Sequence, residues 1–89
     1  MNINIGDIIR WRSAAGCLTG KVTKIRLAPN AAGKTIPWML VEDVENYIGM
    51  TESNVMLPGT DDYFAMMRLS VIGNTDELWQ RDEIGRAHV

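Results

Sequence analysis

Apolar and polar residues alternate along the first part of the chain with a period of two, the signature of half-buried β-strands. Ile3, Ile5, Ile9 and Trp11 fall on one side of the first stretch, with Ile8, Arg10 and Arg12 on the other. Gly6-Asp7 leads into it, and Ser13-Ala14-Ala15-Gly16 reads as the loop that ends it. The second stretch, Cys17 to Leu27, opens with Leu18, Gly20 and Val22 facing inward and continues with Ile25 and Leu27. Its inward set changes phase between Val22 and Ile25. One extra residue does that, so a bulge is expected at Thr23-Lys24. Gly20, at the corner, would let another backbone or a bulky ring approach closely.

Ala28 to Lys34 is a loop by composition, and Ile36 to Glu42 a third strand. Pro37 has no N–H, which predicts that this strand begins at an edge or outside the ladder. Asp43-Val44-Glu45-Asn46 fits a hairpin turn, Tyr47 to Thr51 a returning fourth strand, and Thr51-Glu52-Ser53-Asn54 a short turn before Val55-Met56-Leu57. Pro58-Gly59 is a strong turn signal. Asp61 to Ile72 supports two readings. As a helix it has Thr60 at the N-cap, acids in its first turn and Gly73 beyond its end. As a strand it alternates Tyr63, Ala65, Met67, Leu69 and Val71 with their neighbours. A closing strand is expected over Met67 to Ile72, with a short helix over 61–67 as the alternative for the first half. The expected fold is mostly β, a single small barrel of about five strands over residues 1–73. Residues 74–89 form a polar tail, expected to be a short helix or disordered.

The chain has 89 residues, enough for one core, and its 46% hydrophobic and 22% charged content is that of an ordinary globular domain. No apolar run approaches the roughly 20 residues of a membrane span. The N-terminal residues lack the pattern of a secretory signal, and Cys17 is the only cysteine. A cytoplasmic protein without disulfide, cysteine-based zinc cluster or cofactor is expected. Charge is unevenly spread. Residues 1–36 carry Arg10, Arg12, Lys21, Lys24, Arg26 and Lys34 against Asp7 alone, a balance of +5, and the remainder carries −7. Such asymmetry hints at nucleic-acid contact or self-association.

Gly6-Asp7-Ile8-Ile9-Arg10-Trp11 followed by Gly20-Lys21-Val22-Thr23-Lys24-Ile25 resembles the opening of SH3-like small barrels of the Tudor and KOW type. The resemblance spans residues 5–57 and implies an architecture, since such barrels host many functions. In size and strand layout the chain also resembles the plasmid-borne, trimethoprim-resistant dihydrofolate reductases. Their Val-Gln-Ile-Tyr ligand segment has no counterpart at Tyr47-Ile48-Gly49-Met50 or Val55-Met56-Leu57-Pro58, which argues against that activity.

Candidate catalytic groups are sparse. His88 stands next to the last residue, Cys17 has no histidine nearby, and Asp61-Asp62 suits a solvated turn or helix start. Asn30-Ala31-Ala32-Gly33-Lys34-Thr35 ends like a phosphate loop but lacks its first glycine. A non-enzymatic binding module is therefore expected, without a metal, acting on a protein partner or on itself. The candidate binding residues are Arg10, Arg12, Lys21, Lys24 and Arg26, which the alternation puts on the outer face of the first hairpin. They make nucleic acid the alternative partner. Met39, Met50, Met56, Met66 and Met67, with Trp38, Tyr47, Tyr63, Phe64 and Trp79, make the second half rich in adaptable apolar side chains. These fill a core or form a contact surface.

Overall fold

The computed structural model describes residues 2–14 and 16–74; the tail expectation, with Trp79 and His88, lies outside them. The order is β1 (Asp7–Ser13), β2 (Gly16–Pro29), β3 (Thr35–Asn46), β4 (Val55–Pro58), α1 (Asp61–Met66) and β5 (Ser70–Asn74). All five strands join one antiparallel sheet in the order β4-β3-β2-β1-β5. Among the described residues the protein is thus mostly β with one short helix, as the alternation predicts. The last strand returns to the first, and no hydrogen-bonded pairing joins edge strands β4 and β5 among the described residues.

Sheet curvature comes from β2, which pairs with β1 over Gly16–Lys21 and with β3 over Leu18–Pro29. The register between β2 and β3 shifts twice, between Thr19 and Lys21 and between Val22 and Lys24. The second shift is the bulge expected from the phase change, with Thr23 as the extra residue. The first leaves an extra residue on β3 at Asp43, whose φ of 53° is left-handed. Asp43 to Asn46 is therefore a continuation of β3 through a bulge, not a hairpin turn. Val44 explains why: it is fully buried, and leaving the strand there would expose it. The turn comes later, and residues 47–50, expected as a strand, form it instead. Thr51 makes only an isolated bridge to Glu45.

Ile9, Trp11, Val22, Met39, Val41, Val44, Leu57, Phe64 and Leu69 form the core. Ile9 sits opposite Gly20, and Trp11 opposite Leu18. Ile25 and Leu27, expected to face inward, are exposed, Leu27 at 73%. Pairing puts Ile25 opposite buried Met39, but at the margin of the core, and beyond it β2 and β3 run on as a two-stranded ribbon. Ile3 packs against the core and Ile5 is exposed, both ahead of β1 rather than within it. Pro37 lies where β3 has only β2 beside it. Its carbonyl accepts from Gly59 N–H at 2.7 Å on the other side, so its missing donor falls away from the β2 ladder.

Both readings of the 61–72 segment hold in part. Thr60 Oγ1 accepts from Tyr63 N–H at 3.4 Å and starts α1, with Asp61 and Asp62 in its first turn. The strand begins at Ser70 rather than Met67, because the helix needs Met67 to Leu69 to stop. Arg68 N–H donates to Ala65 O at 3.3 Å and Leu69 N–H to Phe64 O at 2.9 Å, with Arg68 at φ 50°. That is a Schellman stop, sealed by Phe64 and Leu69 in the core. Glycine is the usual residue at its left-handed position, and a side chain there costs ~1–2 kcal/mol. The N-terminal segment is clasped by Asp7, a buried carboxylate that accepts from Asn4 N–H and from the Asn74 amide, each at 2.7 Å.

Gly20 is the tightest point of the curve. A Cβ placed on it would lie 2.5 Å from Val41 Cγ1 and 3.2 Å from both Glu42 O and Val44 Cγ2. The close approach is to side chains and a carbonyl of β3, not to a ring. Gly20→Val is expected to lower stability by ~1–3 kcal/mol, the range for overpacking. Chemical denaturation checks this, and an unchanged midpoint would show that β3 does not press on this position.

Candidate functional site: an arginine groove and an apolar turn

Cross-strand pairing fixes where the predicted cations go. Arg10 sits opposite Thr19, Arg12 opposite Cys17, and Ile8 opposite Lys21, so Arg10, Arg12 and Lys21 share the outer face. Past the Thr23 bulge, Lys24 opposes Leu40 and Arg26 opposes Trp38, which keeps them on that face, where β4 flanks β3 at Met56 and Pro58. The acids do not stay apart from them. β3 lays Glu42 opposite Lys21 and Glu45 opposite Thr19, and Lys21 Nζ lies 4.0 Å from Asp43 Oδ2. The five residues therefore do not form one uninterrupted cationic face. Lys21 is held among acids and divides Lys24 and Arg26 from Arg10 and Arg12.

At the other end the charge is concentrated. Arg10, Arg12 and Arg68 line a groove of about 400 Å³ with Cys17 and Ser70, and among the described residues no acid lines it. Arg12 N–H donates to Met67 O at 2.7 Å, which ties the α1–β5 connection to β1 and brings Arg68 beside Arg12. All three arginines are exposed, and among the described residues none has a side-chain hydrogen bond or ion pair. Arg68 could not be found from alternation, because only the helix stop carries it to this groove. Gly33-Lys34-Thr35 lies in and just after the β2–β3 turn, where Asn30 Oδ1 accepts from Ala32 and Lys34 N–H, each at 2.9 Å. A strand follows it, not the helix that a phosphate loop requires.

The second feature is apolar. Tyr47, Ile48 and Met50 project from the β3–β4 connection at 72%, 62% and 61% exposure. Asn46 holds this turn: its Oδ1 accepts from Ile48 N–H at 3.1 Å and Met50 N–H at 3.0 Å, and its Nδ2 donates to Glu52 Oε1 at 3.1 Å. Gly49, at φ 82°, closes it by donating to Asn46 O at 2.9 Å. The methionines divide accordingly. Met39 is core, Met67 packs against the core, and Met50, Met56 and Met66 are exposed. A separate groove of about 420 Å³ opens onto the core between the first hairpin and α1, lined by Trp11, Leu18, Val55, Tyr63 and Met67 among others. Burial raises the pKa of the Tyr63 phenol above its ordinary value.

No protein-family model, no curated protein and no solved structure matches the chain. No helix among the described residues is long and apolar enough to cross a membrane.

Because one carboxamide organises the turn, Asn46→Ala is expected to loosen it. Its two backbone bonds are worth ~0.5–1.5 kcal/mol each. Amide exchange at Ile48 and Met50 should accelerate while that of core Val41 follows only global stability. Unchanged exchange at both would show that the turn is held by its backbone bonds alone.

Proposed function

We propose that this chain is a cytoplasmic, non-enzymatic interaction module of SH3-like barrel architecture that associates with a second copy of itself through its apolar turn. The carrying observation is the exposure of Tyr47, Ile48 and Met50 on a turn stiffened by Asn46. Stiffness matters because a segment that is already ordered loses less entropy on binding. Large exposed aromatic and methionine side chains grouped together mark contact surfaces in soluble proteins. The same chain offers a recess: the groove at Trp11, Leu18, Tyr63 and Met67 is mostly apolar, with Glu52, Ser53 and Asn54 also in its lining, and falls within the size range of ligand pockets. The strand order, with β5 returning to β1 after a short helix, supports the SH3-like reading.

Nucleic acid is the second reading, and Arg10, Arg12, Lys24 and Arg26 favour it. Glu42, Asp43 and Glu45 count against it, because they interrupt the track a phosphate backbone would follow. Trp38 stands opposite Arg26, but Trp11, between Arg10 and Arg12, is buried and offers no face for base stacking.

Light scattering after size exclusion, over a broad protein concentration range and at low and high salt, tests self-association. The expected result is a dimer that persists at high salt, because apolar contact is not screened. Ile48→Asp should shift it to monomer with an unchanged melting temperature, since Ile48 contributes nothing to the core. A wild-type chain that stays monomeric throughout, or a dimer that high salt dissolves, overturns the proposal.

A further inference from the structure

We propose that the groove between β1, β2 and the α1–β5 connection is a binding site for a phosphate monoester dianion, gripped by Arg10, Arg12 and Arg68. The inference does not rest on self-association through the turn.

Charge and spacing carry it. Arg10 and Arg12 are two residues apart on one face of β1, so their backbones stand ~7 Å apart. The hydrogen bond from Arg12 N–H to Met67 O brings Arg68 alongside. Three arginines then line one groove with Ser70 and Cys17, without an acid among the described residues of its lining. Both flanks of β1 explain why no partner neutralises them among the described residues. The stretch of β2 opposite Ile9 to Ser13, Gly16 to Gly20, has no charged residue before Lys21, and β5, Ser70 to Asn74, has none either. The nearest acid by register on the outer face is Glu45, across Thr19 and so two strand spacings, ~9–10 Å, from Arg10. That is about one screening length at ordinary ionic strength, too far for a tight pair.

A second observation is independent of charge. Arg68 occupies the left-handed position of a Schellman stop at φ 50°, where glycine would fit without strain. A strained residue whose side chain is exposed and makes no bond among the described residues points to a role outside folding.

The arrangement selects among phosphates. Guanidiniums grip phosphate oxygens through paired N–H donors, and three of them suit two charges and three oxygens on one phosphorus. A phosphodiester chain instead presents single charges in a row, and the row stops at Lys21, held by Asp43. A compact dianion is therefore favoured over a polynucleotide. It is carried either by a small phosphorylated molecule or by a phosphorylated side chain of a peptide.

Calorimetric titration of the whole chain at low salt with inorganic phosphate, with phosphoserine, with a phosphoserine peptide and with a single-stranded oligonucleotide lacking terminal phosphate tests this. Phosphoserine is expected to bind with an affinity rising about tenfold from pH 5 to pH 7, because its second ionisation lies near pH 6. Guanidiniums do not titrate in that range. Tighter binding of the peptide than of phosphoserine assigns the source to a protein; equal binding assigns it to a small molecule. Arg68→Gly should weaken phosphoserine binding about tenfold or more while leaving the melting temperature equal or higher, which a structural arginine would not do. Arg12→Gln should weaken it likewise. Absence of binding by any monoester at low salt, pH-independent affinity, preference for the oligonucleotide, or undiminished affinity in both variants overturns the proposal.

Discussion

The close approach of β3 to Gly20 is the constraint on which the rest of the molecule depends. β2 must serve two neighbours at once, β1 along its first half and β3 along most of its length. A straight strand doing so would give a flat sheet with one face open to water. Here β2 loses its side chain at Gly20, takes an extra residue at Thr23, and faces another extra residue at Asp43. Val41 and Val44 move into the space that a Cβ would occupy. The sheet curls, and Ile9, Val22 and Leu57 meet around Met39. α1 and Leu69 then cap what the curl leaves open. Six residues are too few for a helix to be stable alone, so α1 persists because Phe64 is buried.

What could be read from the sequence follows from how each feature writes itself there. The Thr23 bulge was legible because a phase change in a period-2 pattern has one cheap explanation. The turn after β3 was misplaced because Asp43-Val44-Glu45-Asn46 has the composition of a turn but the burial of a strand. Val44 lies in the core, and Asp43 takes a left-handed conformation within a bulge. Turn composition reports what a local backbone tolerates, and tertiary packing decides where the turn falls. Ile25 and Leu27 misled for the opposite reason. Their alternation is that of a buried face, but the ribbon they lie on has outrun the layer that would cover them. Alternation states which side a residue faces, not whether anything stands opposite.

The candidate site was half legible. Arg10 and Arg12 follow from alternation on β1, whereas Arg68 is separated from them by more than fifty residues and was indistinguishable from one member of a strand. Its position depends on the helix stop, where the usual glycine signal is absent because an arginine occupies the place. Charge asymmetry between the two halves of the chain also proved a poor guide. An antiparallel partner brings late residues beside early ones, and β3 returns its acids to the cations of β2.

That pairing has little energetic weight. An exposed pair such as Lys21–Asp43 is worth ~0–1 kcal/mol, so the acids on β3 do not hold the sheet together. Their effect is to remove net charge from the middle of the outer face. Charge that survives is found where β1 runs between two neutral stretches, and there Arg68 is added at a cost of backbone strain. A fold of this size has a margin of only ~5–15 kcal/mol. Strain of ~1–2 kcal/mol in a left-handed arginine is a sizeable fraction of that margin. The helix stop recovers part of it, because the bonds to Ala65 O and Phe64 O close α1 and Leu69 packs with Phe64 in the core, whereas the arginine side chain itself has no partner among the described residues. A phosphate monoester in the groove, as proposed, would supply the rest.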